Sequence, residues 1–466
     1  MKKVLVTGHF NILHLGHIRL LNYAKSLGDY LVVGVESDLL AANNVTYNEK
    51  YRLEAIKNLS VVDEVLVFNK IQKLIKDIKP QILVKGKEYE NKRNQEIISL
   101  KKNNVKLVYS SANFVEVIED EYSKNKISLV RDNKFLKRNK IQKQKLIKII
   151  SNFKKLKVCV IGDFIADEYI KCSPIGMSQE DFTLTYRKES STKFIGGSAV
   201  VASHAARFGA QVDYFSVIGE NDKNGQILEN LKLNNLSKFI FYDSDRPTTL
   251  KQRFRAIDKN ILKLSILNES SINVSLQNKI YNKISQLNKH YDLVIFSDFN
   301  YGVLNKNLVL KLFKYFKKNK TFIASDSQYS SQIGDMDKFK FSSLITPTEH
   351  EVRSLLKDND SGLIVLIDKL KKRLKCKNII LKLGGKGVLM HSKINSKWID
   401  DSLSAMNKNP KDVNGAGDTM LAISSLSLAL GSTIWEASYL ASIAAALQVG
   451  KIGNAKIDIK EIIKYL

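Results

Sequence analysis

The stretch VTGHFNILHLGH, Val6 to His17, decides the fold of the first part of this chain. An apolar run, KVLVTG, ends at Gly8 and a short polar turn follows. From near His14 the apolar spacing of HIRLLNYAKSLG is helical and stops at Gly28. A strand that gives way to a helix within a few residues is the joint of a βα unit, and the segments downstream repeat it. YLVVGVESD, EVLVF, QILVKG and VKLVYS read as strands; NEKYRLEAIKNL, IQKLIKDIK (stopped before Pro80) and NQEIISLKKNN read as helices. This alternation predicts a parallel sheet covered on both faces, over residues 1–123.

The same turn carries chemistry. Backbone N–H groups without partners and the positive end of a helix make an anion cradle. His14 and His17 lie three apart and share one helix face, and Gly16 lets a ligand approach the backbone. Two imidazoles there donate hydrogen bonds to phosphate oxygens as charge builds. A zinc site fits less well, because no Cys, third His or acid follows at ligand spacing. Two core histidines are the bland alternative, but turns flanked by glycine are usually exposed.

The 466 residues are too many for one ordinary core, so two or three domains are expected. No run of about 18 apolar residues appears, and no signal-peptide pattern precedes the first strand, so no membrane partner is expected. The three cysteines, Cys159, Cys172 and Cys376, are scattered and odd in number, which suits a reducing, cytoplasmic setting. The net charge of +27 raises nucleic-acid binding as a possibility, but lysines occur almost everywhere. Lys124 to Lys157 is densest, with thirteen Lys/Arg against one acid, Asp132. Leu136, Ile141, Leu146 and Ile150 recur there at helical spacing, so residues 124–154 read as a basic helical linker with a solvated face.

A second alternation begins at KVCVIGDF and fills residues 155–466. Between Gly162 and Ser265 it is β-rich and irregular, implying strands outside the main sheet. DLVIFSD, TFIASD and SSLITP read as strands, NIILKLG and KGVLMH as a hairpin, and GDTMLAISSLSLALG and IWEASYLASIAAALQVG as buried helices. Within KDVNGAGDTMLA, Gly415, Ala416 and Gly417 allow a tight turn whose N–H groups converge on an anion, and a helix begins at Asp418. An acid there can take a proton from a hydroxyl beside the anion hole, the pairing that phosphoryl transfer to an alcohol needs. A helix N-cap is the equally simple local reading.

GHFNILHLGH resembles the HxGH signature of the nucleotidyltransferase superfamily, particularly its cytidylyltransferase-like enzymes. The resemblance implies nucleotide contacts from Gly8, Phe10, Gly16 and the helix residue Arg52, catalytic roles for His14, His17 and the phosphate-facing Lys85 of PQILVKGKEY, and a helix cap at Ser110 and Ser111 of YSSANF. Asn11 stands where relatives often have Asp, and Ala112 departs from the late Ser/Thr stretch. In such enzymes a sugar phosphate attacks the α-phosphorus of a nucleoside triphosphate and pyrophosphate leaves, so catalysis is positioning and charge neutralisation.

GAGD resembles the signature of ribokinase-like (PfkB) sugar kinases. The resemblance implies Asp418 as base, an anion hole at Gly415, Ala416 and Gly417, and a nucleotide-binding turn at Lys382, Gly384 and Gly387 of LKLGGKG, with Asn454 of QVGKIGN near the base. It implies sugar contacts from Asp163 and Asp167 of VIGDFIADEY, Gly196 and Gly197 of FIGGSAVVASHAARFGA, and Asp298 of SDFNYG, with Glu351 of TPTEHE tied to metal. Val200, Tyr301, Thr348 and Asn414 depart from that pattern, as does ASDSQ where an Asp-Pro-Lys stretch is common.

The pair together resembles the bifunctional heptose kinase/adenylyltransferases that make ADP-activated heptose for bacterial lipopolysaccharide, with the domain order reversed. The fold expected is α/β in two domains: an N-terminal Rossmann-like nucleotidyltransferase and a C-terminal ribokinase-like domain with a small β lid. The resemblance implies Mg²⁺ and ATP, with CTP as the transferase's alternative, and a sugar phosphate as substrate. It also implies a homodimer through a lid at residues 170–195 and 245–265. The alternatives are a different sugar, or an active transferase on a degenerate kinase-like scaffold.

Overall fold

A computed structural model describes residues 2–11, 13, 15–41, 45–86, 100, 103–110, 129–256, 259–328, 334–394 and 397–466. They fall into two compact units, Met1–Lys126 and Ile127–Leu466.

The first unit holds a sheet of strands β1 (Lys3–Gly8), β2 (Tyr30–Glu36), β3 (Glu64–Phe68), β4 (Ile82–Gly86) and β5 (Lys106–Ser110), all parallel, in the order β3-β2-β1-β4-β5. Residue parity sorts the side chains between two faces. Val4, Val6, Leu31 and Val33 pack with Leu21 and Ala24 of the helix Leu15–Ser26. Leu5, Val32 and Leu83 pack with Leu74 and Ile75 of the helix Ile71–Ile78. Asn48 caps the helix Glu49–Lys57 by accepting from the Tyr51 N–H. Lys79, in the left-handed region, ends Ile71–Ile78 just before Pro80. The strand order reverses between β1 and β4, and ligands bind at the carboxyl ends of strands around such a switch.

The second unit is built on nine strands: β6 (Lys157–Gly162), β9 (Gln211–Gly219), β10 (Leu236–Asp243), β13 (Leu293–Asp298), β14 (Phe322–Ser327), β15 (Leu344–Ile345), β16 (Asn378–Lys382), β17 (Val388–Ile394) and β18 (Lys397–Leu403). Their order is β10-β9-β6-β13-β14-β15-β16-β17-β18. Pairing is parallel from β10 to β16, and the β16–β17 hairpin then runs antiparallel. Val158, Val160 and Ile295 face the apolar helices Ala416–Ala429 and Ile434–Val449; Cys159, Ile161, Val294 and Phe296 face Val274–Gln286 and Lys306–Lys318. A separate sheet of β7 (Phe164–Met177), β8 (Leu184–Gly197), β11 (Leu250–Ala256) and β12 (Lys259–Ile266) forms the lid, in the order β12-β11-β7-β8.

From residue 129 onward the basic stretch belongs to this unit's core rather than standing apart as a linker. It forms two helices, Asn133–Arg138 and Lys143–Asn152, broken where Lys140 takes a φ of 51°. Phe135, Leu146, Ile150 and Phe153 are buried in the same core as Leu426 and Tyr439, and the Phe135 ring stacks on that of Tyr439. The lysines face outward, and Arg138 forks onto Asp401 at 2.7–3.0 Å. Among the described residues no helix is long and apolar enough to cross a membrane.

Candidate active sites

In the first unit, β1 ends at Gly8 and the chain turns through His9, Phe10 (φ 49°) and Asn11. Phe10 is buried, and its ring lies 5.1 Å from that of His17, in the first turns of Leu15–Ser26. Gly16 is the second residue of the same helix. Asn11 Oδ1 accepts the Thr46 and Tyr47 N–H groups at 2.6 and 3.1 Å, while Nδ2 donates to Thr46 Oγ1 at 3.3 Å. The Arg52 guanidinium is fully buried and bonded within the protein. Nε donates to the Tyr47 carbonyl (2.9 Å), Nη1 to the His9 carbonyl (2.7 Å) and Nη2 to Asp38 Oδ1 (2.7 Å). Arg52 therefore fastens the backbone of the turn. Lys85 is buried near the end of β4, beside β1, and Ser110 ends β5 opposite Gly86. The turn, Lys85 and Ser110 thus share one edge of the sheet. His14, Ser111 and the Ser110 side chain lie outside the described residues.

In the second unit, Gly415 (φ 74°) starts the helix Ala416–Ala429 in a conformation that favours glycine. Asp418 sits buried in its first turn, 3.5 Å from Gln328 Nε2. Burial first, and then the Asp326 carboxylate, push the Asp418 carboxyl up to about 7. Lys382, at the end of β16, places Nζ 3.0 and 3.2 Å from the two Asp326 oxygens. Burial also raises Asp326, to about 6; Lys382 opposes that rise and Glu351 adds to it. Burial disfavours the Lys382 ammonium, but Asp326 and Glu351 outweigh it, so its pKa rises. Gly384 and Gly387, both at positive φ, bound the turn after Lys382.

Asp167 stands on the lid strand β7. Arg253 of β11 approaches it at 3.3 Å and Asn454 Nδ2 donates to it at 3.2 Å. A Cβ on Gly196 would come 2.5 Å from Asp167 Oδ2, and one on Gly415 would come 2.5 Å from Asn454 Oδ1. Asn454, expected near the nucleotide base, therefore joins the Asp167 cluster to the glycine turn. Gly197, at φ 60°, ends β8. Asp163 and Asp298, expected as sugar contacts, are engaged inside the fold. Asp163 accepts backbone N–H groups of Phe299 (2.8 Å) and Val303 (3.1 Å), holding the loop that carries Tyr301. Burial and then Asp298 push its carboxyl up to about 6. Asp298 pairs with Lys338 at 2.8 Å and accepts from Ser327 Oγ at 2.8 Å. Glu351 forms a capping box with Thr348, its Oε2 accepting the Thr348 N–H at 2.7 Å.

Sequence reasoning did not single out Lys251, Arg253 or Asp412. Lys251 and Arg253 alternate along β11, so both fall on the face turned to Asp167, and Lys251 Nζ lies 5.2 Å from the Tyr301 ring centroid. Their period-two spacing in LKQRFR was the available signal. Asp412 accepts from Tyr169 Oη (2.7 Å), Asn414 Nδ2 (2.6 Å) and the Gly453 N–H (3.0 Å), bracing the approach to the glycine turn. Among the described residues no group of three metal-ligating side chains occurs.

Residues 155–460 match the profile of the pfkB family carbohydrate kinases, and residues 5–158 match the cytidylyltransferase-like profile. A bifunctional protein HldE of Nitratiruptor sp. is 30% identical over 316 residues, which cover 67% of this chain and 65% of that protein. The HldE of Helicobacter acinonychis is 29% identical over 310 residues, again covering 65% of its length. The chain thus spans somewhat under two thirds of these relatives. Phosphofructokinase-2 from Escherichia coli, solved with potassium, superposes with a TM-score of 0.54 at 13% identity, covering 66% of this chain and 97% of that one. Arabidopsis thaliana ribokinase, solved with ribose and ATP, gives 0.51 at 18% identity, with 66% and 98% covered. These likenesses establish a ribokinase-like fold. With the profile matching about two thirds of its length, the chain belongs to the pfkB family of carbohydrate kinases.

Proposed function

We propose that the chain is a bifunctional enzyme of activated-sugar synthesis, with a heptose phosphate as its substrate. The second unit phosphorylates the sugar from ATP; the first couples a sugar 1-phosphate to a nucleoside triphosphate and releases pyrophosphate. The observation that carries the kinase reading is Asp418, a buried carboxyl titrating near neutrality at a glycine turn that opens a helix. A general base works best with its pKa near the operating pH, and the turn's N–H groups hold an anion. As the acceptor oxygen bonds to the γ-phosphorus, the hydroxyl proton passes to Asp418 and ADP leaves with the electrons of the broken P–O bond. Asp167, Arg253 and Asn454 orient the sugar, which supports a polar, many-hydroxyl acceptor. The HldE likeness supports a heptose.

A Mg²⁺ ion brings nucleotide phosphate and water ligands with it and asks for only one or two protein carboxylates. Glu351, a buried carboxylate in the first turn of the helix Glu349–Leu356, would hold such an ion. Such an ion would neutralise phosphate oxygens. In the transferase, His14, His17 and Lys85 neutralise the α-phosphate, and Arg52 keeps the turn at His9 in place. ATP is the transferase nucleotide in this reading, with CTP as the alternative. The lid leaves Met177, Phe182, Leu184, Leu262 and Leu264 exposed, which supports pairing of two chains through it. The chain's three free, buried cysteines suit a reducing cytoplasm.

Mass spectrometry of products after incubation with ATP, CTP and a panel of heptose phosphates tests the whole reading. A nucleotide–sugar peak, and ATP consumption lost in Asp418→Asn, is the expected result. No ATP consumption with any sugar overturns the kinase activity and leaves a transferase on a scaffold. Analytical ultracentrifugation tests the pairing: a dimer that Leu262→Asp/Leu264→Asp dissociates supports it, and a monomer overturns it.

A further inference from the structure

We propose that Lys382 is a further catalytic residue of the kinase site, a cation that faces the phosphoryl group during transfer. The inference rests on the kinase reading above. Lys382 Nζ is held by Asp326 at 3.0 and 3.2 Å, and its side chain is only 12% exposed. A Cβ at Gly417 would lie 3.3 Å from that nitrogen, so the ammonium rests against the first turn of Ala416–Ala429. A helix N-terminus carries partial positive charge, which repels an ammonium beside it. Burial disfavours the ammonium as well, and Asp326 and Glu351 outweigh that cost, so the charge persists beside the turn. Neutralising Asp326 does not require the amine to be on the side where the glycine turn lies. What both the amine and the turn attract is an anion entering between them and Asp418.

Among the described residues, the neighbouring cations have other stations. ASDSQ, which carries Asp326, brings none of its own. Lys251 acts from the lid, over the Phe299 and Tyr301 rings, and Arg253 is committed to Asp167. Lys338 is paired with Asp298. In the transfer step the acceptor oxygen bonds to the γ-phosphorus, the bond to the β,γ-bridging oxygen breaks with its electrons going to ADP, and the proton goes to Asp418. Negative charge on the equatorial and leaving oxygens persists throughout, and a fixed ammonium there stabilises it without reorganising. Lys382 also lowers the proton affinity of Asp418 across the turn.

Lys382→Met tests this, measured beside Asp326→Asn/Lys382→Met, which removes the buried charge pair together and keeps the interior neutral. Both variants are expected to fold by circular dichroism. Each should lose kcat by about 10²- to 10³-fold, the scale for removal of one electrostatic element, with the sugar KM changed little. In Lys382→Met the acid limb of the pH–rate profile should move upward, while raising the pH fails to restore the rate. Affinity for ADP with aluminium fluoride should fall far more than affinity for ADP alone. A double variant that keeps kcat within threefold, or a single variant whose full rate returns at high pH, overturns the inference. A wild-type chain that consumes no ATP with any sugar overturns the kinase reading and this inference with it.

Discussion

Asp418 ionises near neutrality because it is buried and because Asp326 faces it across the site. As a base it works only when ionised, so kcat/KM for the kinase should fall about tenfold per pH unit below about 7, measured as ADP release. The same shift bears on stability. A carboxyl whose folded pKa lies above its unfolded value contributes stability that is full below the unfolded pKa. That contribution is lost as pH rises through the folded one, here between about 4 and 7. Asp418→Asn should flatten the decline of the unfolding midpoint over that window, read by thermal melts. Arg52 makes a second case. Arg52→Ala takes the charged donor from the His9 and Tyr47 carbonyls in two part-buried hydrogen bonds, at about 1.5–3 kcal/mol for a bond to a charged group. The expected result is a lower melting midpoint together with a raised nucleoside triphosphate KM, since the phosphate-binding turn loses its anchor. An acid at a glycine turn announced Asp418, but its titration range was hidden, because Asp326 comes from another strand. Asn11 shows the reverse. It stands out in the sequence as a departure from Asp, yet its oxygen accepts two backbone N–H groups, a task that an Asp carboxylate performs equally well.

At the scale of the element, strands and helices with consistent apolar periodicity were legible across the described residues, including the β16–β17 hairpin and the two buried C-terminal helices. The irregular β-rich region was legible only as such. The lid joins β7 to β11 across more than seventy residues, a pairing that no local pattern encodes. The glycine pair on β8 takes its meaning from that sheet. Because a Cβ at Gly196 would meet Asp167 Oδ2 at 2.5 Å, Gly196→Ala should push the carboxylate out of place. The sugar KM should rise about tenfold or more, equivalent to roughly 1.4 kcal/mol, with ATP affinity unchanged, as steady-state kinetics in both substrates will show. Asp163, expected as a sugar contact, anchors the Phe299–Val303 loop. Charged residues in a motif look alike in a sequence; what separates a ligand contact from a loop anchor is which backbone N–H groups lie within 3 Å.

At the scale of the whole molecule, the boundary between the units falls at Lys126–Ile127, ahead of the basic helices rather than after them. Charge density suggested a linker because exposed lysines dominate the composition there, while the minority of apolar residues decides where the segment packs. Phe135, Leu146, Ile149, Ile150 and Phe153 are all buried in the kinase-like unit. Each such side chain contributes about 1.5–3 kcal/mol on burial. The segment as a whole is therefore worth about as much as the 5–15 kcal/mol that separates a folded domain from its unfolded chain. The fork of Arg138 and Asn139 onto Asp401 and the 2.7 Å pair of Lys145 with Glu436 add orientation, though less energy, because the cationic partners are largely exposed. A chain beginning at Ile127 should therefore be obtained as a folded protein that melts in one cooperative transition and keeps the sugar kinase activity of the full chain. A chain beginning at Lys155, at the edge of the profile match, exposes the apolar surface against which those five side chains pack. It should be recovered in aggregates or melt far lower, by differential scanning calorimetry. Equal melting of the two truncated chains would mean that the helices only rest on the unit they are packed against.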